Sequence, residues 1–206
     1  MENYVLHYAD WVFTGRVVDN KEPIATCDLC EKHGLRYEFE IAYMGSEPLP
    51  QPASEDEPSM PRIMWVGSVC IRKFGVTVQD ENGRKLQRGE IPAFLRAVVR
   101  RKKHEAVLDT LRELYRRDKP NQEKIAEIGK TFKSKKTLPP HHAVFLLNRL
   151  AAYGLSLPPG YLKITLKKQV HKAMVLNLTP PARRRLMAAL SVPQQRTIRG
   201  WLEVDA

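Results

Sequence analysis

Cysteine is scarce in this chain of 206 residues: there are three. Three is too few and odd in number for a disulfide framework, so reduced thiols or metal ligands are expected. Long apolar runs are missing too, with nothing near the ~18 residues a bilayer span needs, which excludes a membrane-spanning helix. Met1 to Asp10 mixes acids, His and Tyr where a secretory signal would be apolar, and this predicts a cytoplasmic protein. There is no phosphate-binding G-x-x-x-x-G-K-[ST] loop, since Gly129-Lys130-Thr131 lacks the upstream glycine. No H-x-E or H-E-x-x-H pattern offers a catalytic zinc its activating carboxylate, and no acid cluster suits a two-metal nuclease. These absences predict a protein that is not an enzyme. No repeat recurs at a fixed period.

Acids are the other shortage, and it is local. Residues 1–90 carry 10 Lys/Arg and 15 Asp/Glu, a net −5, whereas residues 91–206 carry 24 and 8, a net +16. A swing of that size within an overall +11 predicts two modules with different partners. With 43% hydrophobic residues the chain can bury a core, so wholesale disorder is excluded. Texture changes where the charge does. The expectation is an α+β protein: a small zinc-stabilised, β-rich module over residues 1–85, then a mainly α-helical basic domain over residues 86–206. The boundary is placed in the turn-rich Gln79–Arg84 stretch.

In the first module, Tyr4–Val18 predicts one or two strands with Gly15 as a turn or bulge. Leu35–Ala42 alternates, placing Leu35, Tyr37, Phe39 and Ile41 on one face and Arg36, Glu38 and Glu40 on the other. Gly45–Pro61, rich in Pro and acids, reads as a loop, and Ile63–Val66 as a returning strand. Ser68–Phe74 then predicts a short helix stopped by Gly75. In the second module, helical spacing runs through Ile91, Phe94, Leu95, Val98, Leu108, Leu111, Leu114 and Tyr115. Further helices are expected over Asn121–Lys130, from Pro139/Pro140 to Tyr153, from Thr179-Pro180-Pro181 to Leu190, and over Pro193–Leu202.

Cys27-Asp28-Leu29-Cys30 is a C-x-x-C pair just before a strand, and two thiolates at that spacing can meet one tetrahedral Zn²⁺. Cys70 falls in the first turn of the expected helix. Knuckle, hairpin and a ligand at a helix start follow the order of a treble-clef zinc finger. The second helix ligand is missing, because Gly67 and Ser68 occupy its slot. The fourth donor is expected from elsewhere, His33 first, with His7, Asp28 or Glu31 as alternatives. Buried inert thiols, or a redox C-x-x-C without its usual βαβ setting, are the other readings.

The segments Cys27–Ile41 and Trp65–Phe74 resemble the Cys-knuckle finger of small zinc proteins from phages, plasmids and other mobile elements. The likeness spans about fifty residues and implies a zinc-stabilised module in DNA or RNA metabolism.

The basic half carries its cations in clusters: Arg100, Arg101, Lys102 and Lys103; Arg116, Arg117 and Lys119; Lys130, Lys133, Lys135 and Lys136; Lys163, Lys167, Lys168 and Lys172; and Arg183, Arg184 and Arg185 with Arg196 and Arg199. So few acids accompany them that pairing along the helices cannot neutralise them, which predicts a nucleic-acid partner, DNA or RNA. Thr179–Arg199 could form a helix-turn-helix presenting Gln194, Gln195, Arg196 and Arg199 to base edges, or a helical cap. Tyr115, Phe132 and Tyr161 are expected in the core rather than stacked on bases. His141 and His142, adjacent on a helix, point about 100° apart and are expected to face solvent or phosphate, not one metal. The acidic half suits a protein partner. The resulting expectation is a non-enzymatic adaptor or subunit of a nucleoprotein complex. The alternative is a protein-interaction module docking on a polymerase or a multi-subunit RNA-guided complex.

Overall fold

The computed structural model describes residues 8–46 and 62–204, so His7, the start of the expected first strand and most of the 45–61 loop lie outside the described residues. The chain is mixed α and β and divides into two compact units, residues 1–101 and 102–206. Among the described residues no helix is long and apolar enough to cross a membrane.

The first unit is built on an antiparallel sheet ordered β1-β4-β5, from β1 (Trp11–Asp19), β4 (Tyr37–Tyr43) and β5 (Ile63–Val66). Expected as one or two strands, the N-terminal segment forms a single one. Its register on β4 slips between Phe13 and Val17, where Gly15 takes φ +89°, a conformation costly for any side chain. Phe39 and Ile41 face the core as the alternation predicts, but Glu40 is buried as well, at 4% exposure. The bulge explains this. It folds Thr14 and Arg16 back over β4, so that the Thr14 hydroxyl donates to Glu40 at 2.9 Å and the Arg16 guanidinium pairs with it at 2.7 Å. A two-stranded ribbon, β2 (Ala25–Thr26) with β3 (His33–Leu35), precedes β4. The short helix α1 (Ser68–Lys73) follows β5, and Gly75 at φ +72° turns the chain beyond it.

Residues 76–98 belong to this unit. Thr77 is held on β1, its N–H donating to Trp11 O at 2.8 Å while Phe13 N–H donates to Thr77 O at 2.9 Å. Val76, Val78, Leu86, Ile91, Leu95 and Val98 are buried with Trp11, Phe39, Ile41, Val66 and Ile71 in one cluster. The two units therefore divide sixteen residues beyond the boundary placed from composition, inside α2 (Ile91–Arg117) rather than in the turn at 79–84. Apolar packing and not charge sets where a folded unit ends.

The second unit packs residues 102–117 of α2 with α3 (Gln122–Lys135), α4 (Pro140–Ala152), α5 (Gln169–Leu176), α6 (Pro180–Ala189) and α7 (Val192–Val204). The pattern of apolar residues gave no warning of α5, whose eight residues bury only Val175. Val107, Leu111, Leu114, Ile125, Phe132, Leu146, Leu150, Leu186 and Ile198 form the core. Asn121, just before α3, makes no side-chain cap bond to the helix and donates its side-chain amide to Asp118 at 2.8 Å. Asp118 is fully buried and also accepts Arg149 at 2.6 and 3.1 Å and the Tyr153 hydroxyl at 3.2 Å, tying the end of α2 to α4.

Chiefly through Arg149, these donors hold the Asp118 carboxyl below its ordinary 3.8. A depressed carboxylate pKa adds stability above the unfolded-state value and loses it as pH falls through the folded one. Asp118→Asn is expected to lower the melting temperature near neutral pH, and its deficit relative to wild type is expected to shrink below about pH 4. Thermal melts across that range check this; a pH-independent deficit would contradict it.

Candidate functional site

The β2–β3 ribbon carries the C-x-x-C pair on its turn. Cys27 N–H donates to Lys32 O at 3.0 Å and Glu31 N–H to Cys27 O at 2.8 Å, with Glu31 in the left-handed region at φ 54°. This tight knuckle is fastened to the outer edge of β5. Asp28 N–H donates to Trp65 O at 3.1 Å, and the Asp28 carboxylate accepts Trp65 N–H at 2.7 Å. Cys27 Sγ then accepts Gly67 N–H at 3.4 Å.

With the knuckle in place, Cys70 in the first turn of α1 completes a cluster. Its sulfur lies 3.5 Å from Cys27 Sγ and 3.2 Å from Cys30 Sγ, and all three sulfurs fall within 4.8 Å of one another. The three are free thiols, Cys27 and Cys70 buried and Cys30 exposed. Tetrahedral zinc thiolates, with Zn–S about 2.3 Å, set sulfurs about 3.8 Å apart, so the donor set and its spacing fit one soft divalent ion. The three cysteines could therefore hold a metal.

His33 is not brought into the cluster; its Nδ1 is hydrogen-bonded to Thr26 Oγ1 at 2.7 Å across the ribbon. Three residues beyond Cys30, it has already entered β3 and is exposed. Asp28 is engaged by Trp65, and Glu31 lies outside the cluster as well. Gly67 stands in the slot of the missing helix ligand, and a Cβ there would meet Leu35 Cδ2 at 3.2 Å, a close contact to which the leucine side chain must yield. Among the described residues, three sulfurs are what the protein offers.

Their protonation differs. Burial, then the neighbouring thiols, pushes Cys70 up to about 12. Cys30 is lowered, chiefly by the backbone of Lys32 and next by the Cys70 thiol. Metal binding must therefore displace a tightly held proton from Cys70.

The expected phosphate-binding cations divide into engaged and unengaged side chains. Arg101 pairs with Glu81, and Lys103 lies 5.4 Å from the centre of the Tyr161 ring. Arg183 donates to the carbonyls of Leu176 and Leu178 at 2.5 and 3.1 Å, closing the end of α5. Arg185 donates to Asn148 Oδ1 at 2.7 Å. Arg116 and Arg117 share Glu113, at 3.0 and 2.6 Å. In contrast, Arg100, Lys102, Lys133, Lys135, Lys136, Lys167, Lys168, Arg184, Arg196 and Arg199 are exposed, and no ion pair forms at them among the described residues. Residues 102–206 hold 21 Lys/Arg and 8 Asp/Glu, a net +13.

Two glutamines proposed to read bases serve the fold instead. Gln194 donates to Ile164 O at 2.7 Å, and Gln195 donates to Met187 O and Leu190 O at 2.9 and 3.0 Å. Of the aromatics, Phe132 and Tyr161 are buried as expected, but Tyr115 is 41% exposed. Its place in a run of helical spacing concealed this, because Leu114 beside it takes the core position. His142 is buried rather than solvent-facing, with Nε2 3.6 Å from Glu127, and burial lowers its pKa.

A cobalt(II) titration tests the cluster. One equivalent is expected to give thiolate-to-metal charge-transfer absorption that Cys70→Ser abolishes and His33→Ala leaves intact. Affinity is expected to fall on acidification by about tenfold per unit for each proton released. Persistence of the band in Cys70→Ser would refute the assignment. Compared with protein-family models, curated proteins and solved structures, the chain matches none.

Proposed function

We propose that this is a non-enzymatic nucleic-acid-binding protein, an adaptor or subunit of a nucleoprotein complex. Its first unit is stabilised by a structural Zn²⁺ on Cys27, Cys30 and Cys70, and its second unit holds DNA or RNA. The reading is carried by the net +13 of residues 102–206 together with the exposed cations there that form no ion pair among the described residues. Such a surface attracts a polyanion, and each neutralised phosphate releases counterions. Lys133, Lys135 and Lys136 at the end of α3, and Arg196 and Arg199 one turn apart on α7, are the phosphate contacts. Exposed Tyr115 offers a ring on which an unpaired base can stack. Gln194 and Gln195 being engaged, the binding is to the backbone and not to base edges.

The adaptor's protein contact falls to the first unit, where Ile24, Met44, Ile63 and Val69 are exposed apolar side chains. The resemblance of residues 27–41 and 65–74 to zinc proteins of mobile elements agrees with this role.

Filter binding to a labelled duplex and to a single strand over a salt series tests the reading. Affinity is expected to fall linearly on a log–log plot, and Lys133→Glu/Lys135→Glu/Lys136→Glu is expected to reduce the slope by about 2–3. Affinity that is absent, or indifferent to salt, would overturn it.

A further inference from the structure

The first unit contains a cavity of about 770 Å³ beside the three cysteines, a volume in the range of small-molecule sites. Six cations line it: Lys32, Arg36, Arg72, Lys73, Arg96 and Arg100. Among the described residues no Asp or Glu lines it. That segregation runs against the composition of the unit, since residues 1–101 hold 13 Lys/Arg and 15 Asp/Glu. Nearly half of the unit's cations converge where none of its described acids does. Arg36 is paired with Asp19 at 3.0 Å, whereas the other five form no ion pair among the described residues. Like charges gathered around one cavity repel, and an anion within it reverses the sign of that energy.

The remainder of the lining sets the ligand's body. Leu35, Phe39, Val69, Leu95 and Val99 make it apolar. The Arg36 guanidinium lies 5.2 Å from the centre of the Tyr37 ring, so these two residues add a flat aromatic and guanidinium surface to the wall. A nucleobase stacks on such a surface, whereas an alkyl chain gains only burial. A carboxylate supplies one charge and two acceptor oxygens, whereas a phosphomonoester supplies two charges and three acceptor oxygens matched to arginine forks.

We propose that this cavity binds a phosphomonoester on an apolar, planar body, namely a mononucleotide, either free or at the 5′ end of a strand. The site lies wholly within residues 1–101, the acidic unit.

Calorimetric titration of the full chain as purified tests it, with adenosine 5′-monophosphate, adenosine, and pentathymidylate with and without a 5′-phosphate as probes. The monophosphate is expected to saturate one site at least about tenfold more tightly than adenosine. Arg72→Glu/Arg96→Glu replaces two exposed side chains, with circular dichroism confirming that the variant folds. It is expected to weaken the monophosphate at least about tenfold, leaving salt-dependent capture of a long strand unchanged. Lys133→Glu/Lys135→Glu/Lys136→Glu is expected to do the reverse, so this site and the proposed strand-binding surface fail independently. Preference for the 5′-phosphorylated pentamer over its 5′-hydroxyl form assigns the site to strand ends; binding of the mononucleotide alone assigns it to a free nucleotide. Equal binding of adenosine and its monophosphate, wild-type binding by the Arg72/Arg96 variant, loss of long-strand capture by that variant, or displacement of the monophosphate by lower concentrations of dodecyl phosphate would each overturn the proposal.

Discussion

The first unit depends on how the six-residue turn between β2 and β3 is fastened to the edge of a sheet. β5 is the last strand of its sheet, and an edge strand leaves N–H and C=O groups unpaired. Asp28 satisfies both groups of Trp65, one with its backbone and one with its carboxylate. The same contact sets Cys27 against the Gly67 N–H and brings both knuckle sulfurs to Cys70. A sheet-edge latch and a three-sulfur cluster are thus one arrangement.

In the second unit several acids are engaged locally. Asp118 is buried under Arg149, Tyr153 and Asn121, and Glu113 serves Arg116 and Arg117 along α2. Exposed pairs of the latter kind stabilise the fold little, and their effect is to take Glu113 out of circulation. Lysines of α3 and arginines of α7 are then left facing solvent. The acidic unit arranges its charge differently, gathering six cations around a cavity.

Much of this was legible. The C-x-x-C knuckle, the alternating strand around Phe39 and Ile41, the helix stopped at Gly75 and the proline-led helices each rest on a local signal: thiol spacing, period-two burial, a left-handed glycine, a fixed φ at the first turn. What escaped depended on residues far away in sequence. Glu40 alternates as a surface residue, yet a bulge 24 to 26 positions earlier covers it with Arg16 and Thr14. His33 has the chemistry of a ligand, but ribbon pairing gives it to Thr26. Gln194 and Arg183 have the chemistry of nucleic-acid contacts, but neighbouring backbone carbonyls claim them.

Sequence by itself determined the charge division, the sulfur donors and most elements, because each follows from residue type or from spacing along a few turns of chain. Only tertiary structure decided which side chains remain available. It drew His33 away from the sulfurs, moved the limit of the first unit to residue 101, and gathered cations from positions 32 to 100 around one cavity. Availability is decided by burial and by competition among hydrogen-bond partners, and those are set by residues that meet only when the chain has folded.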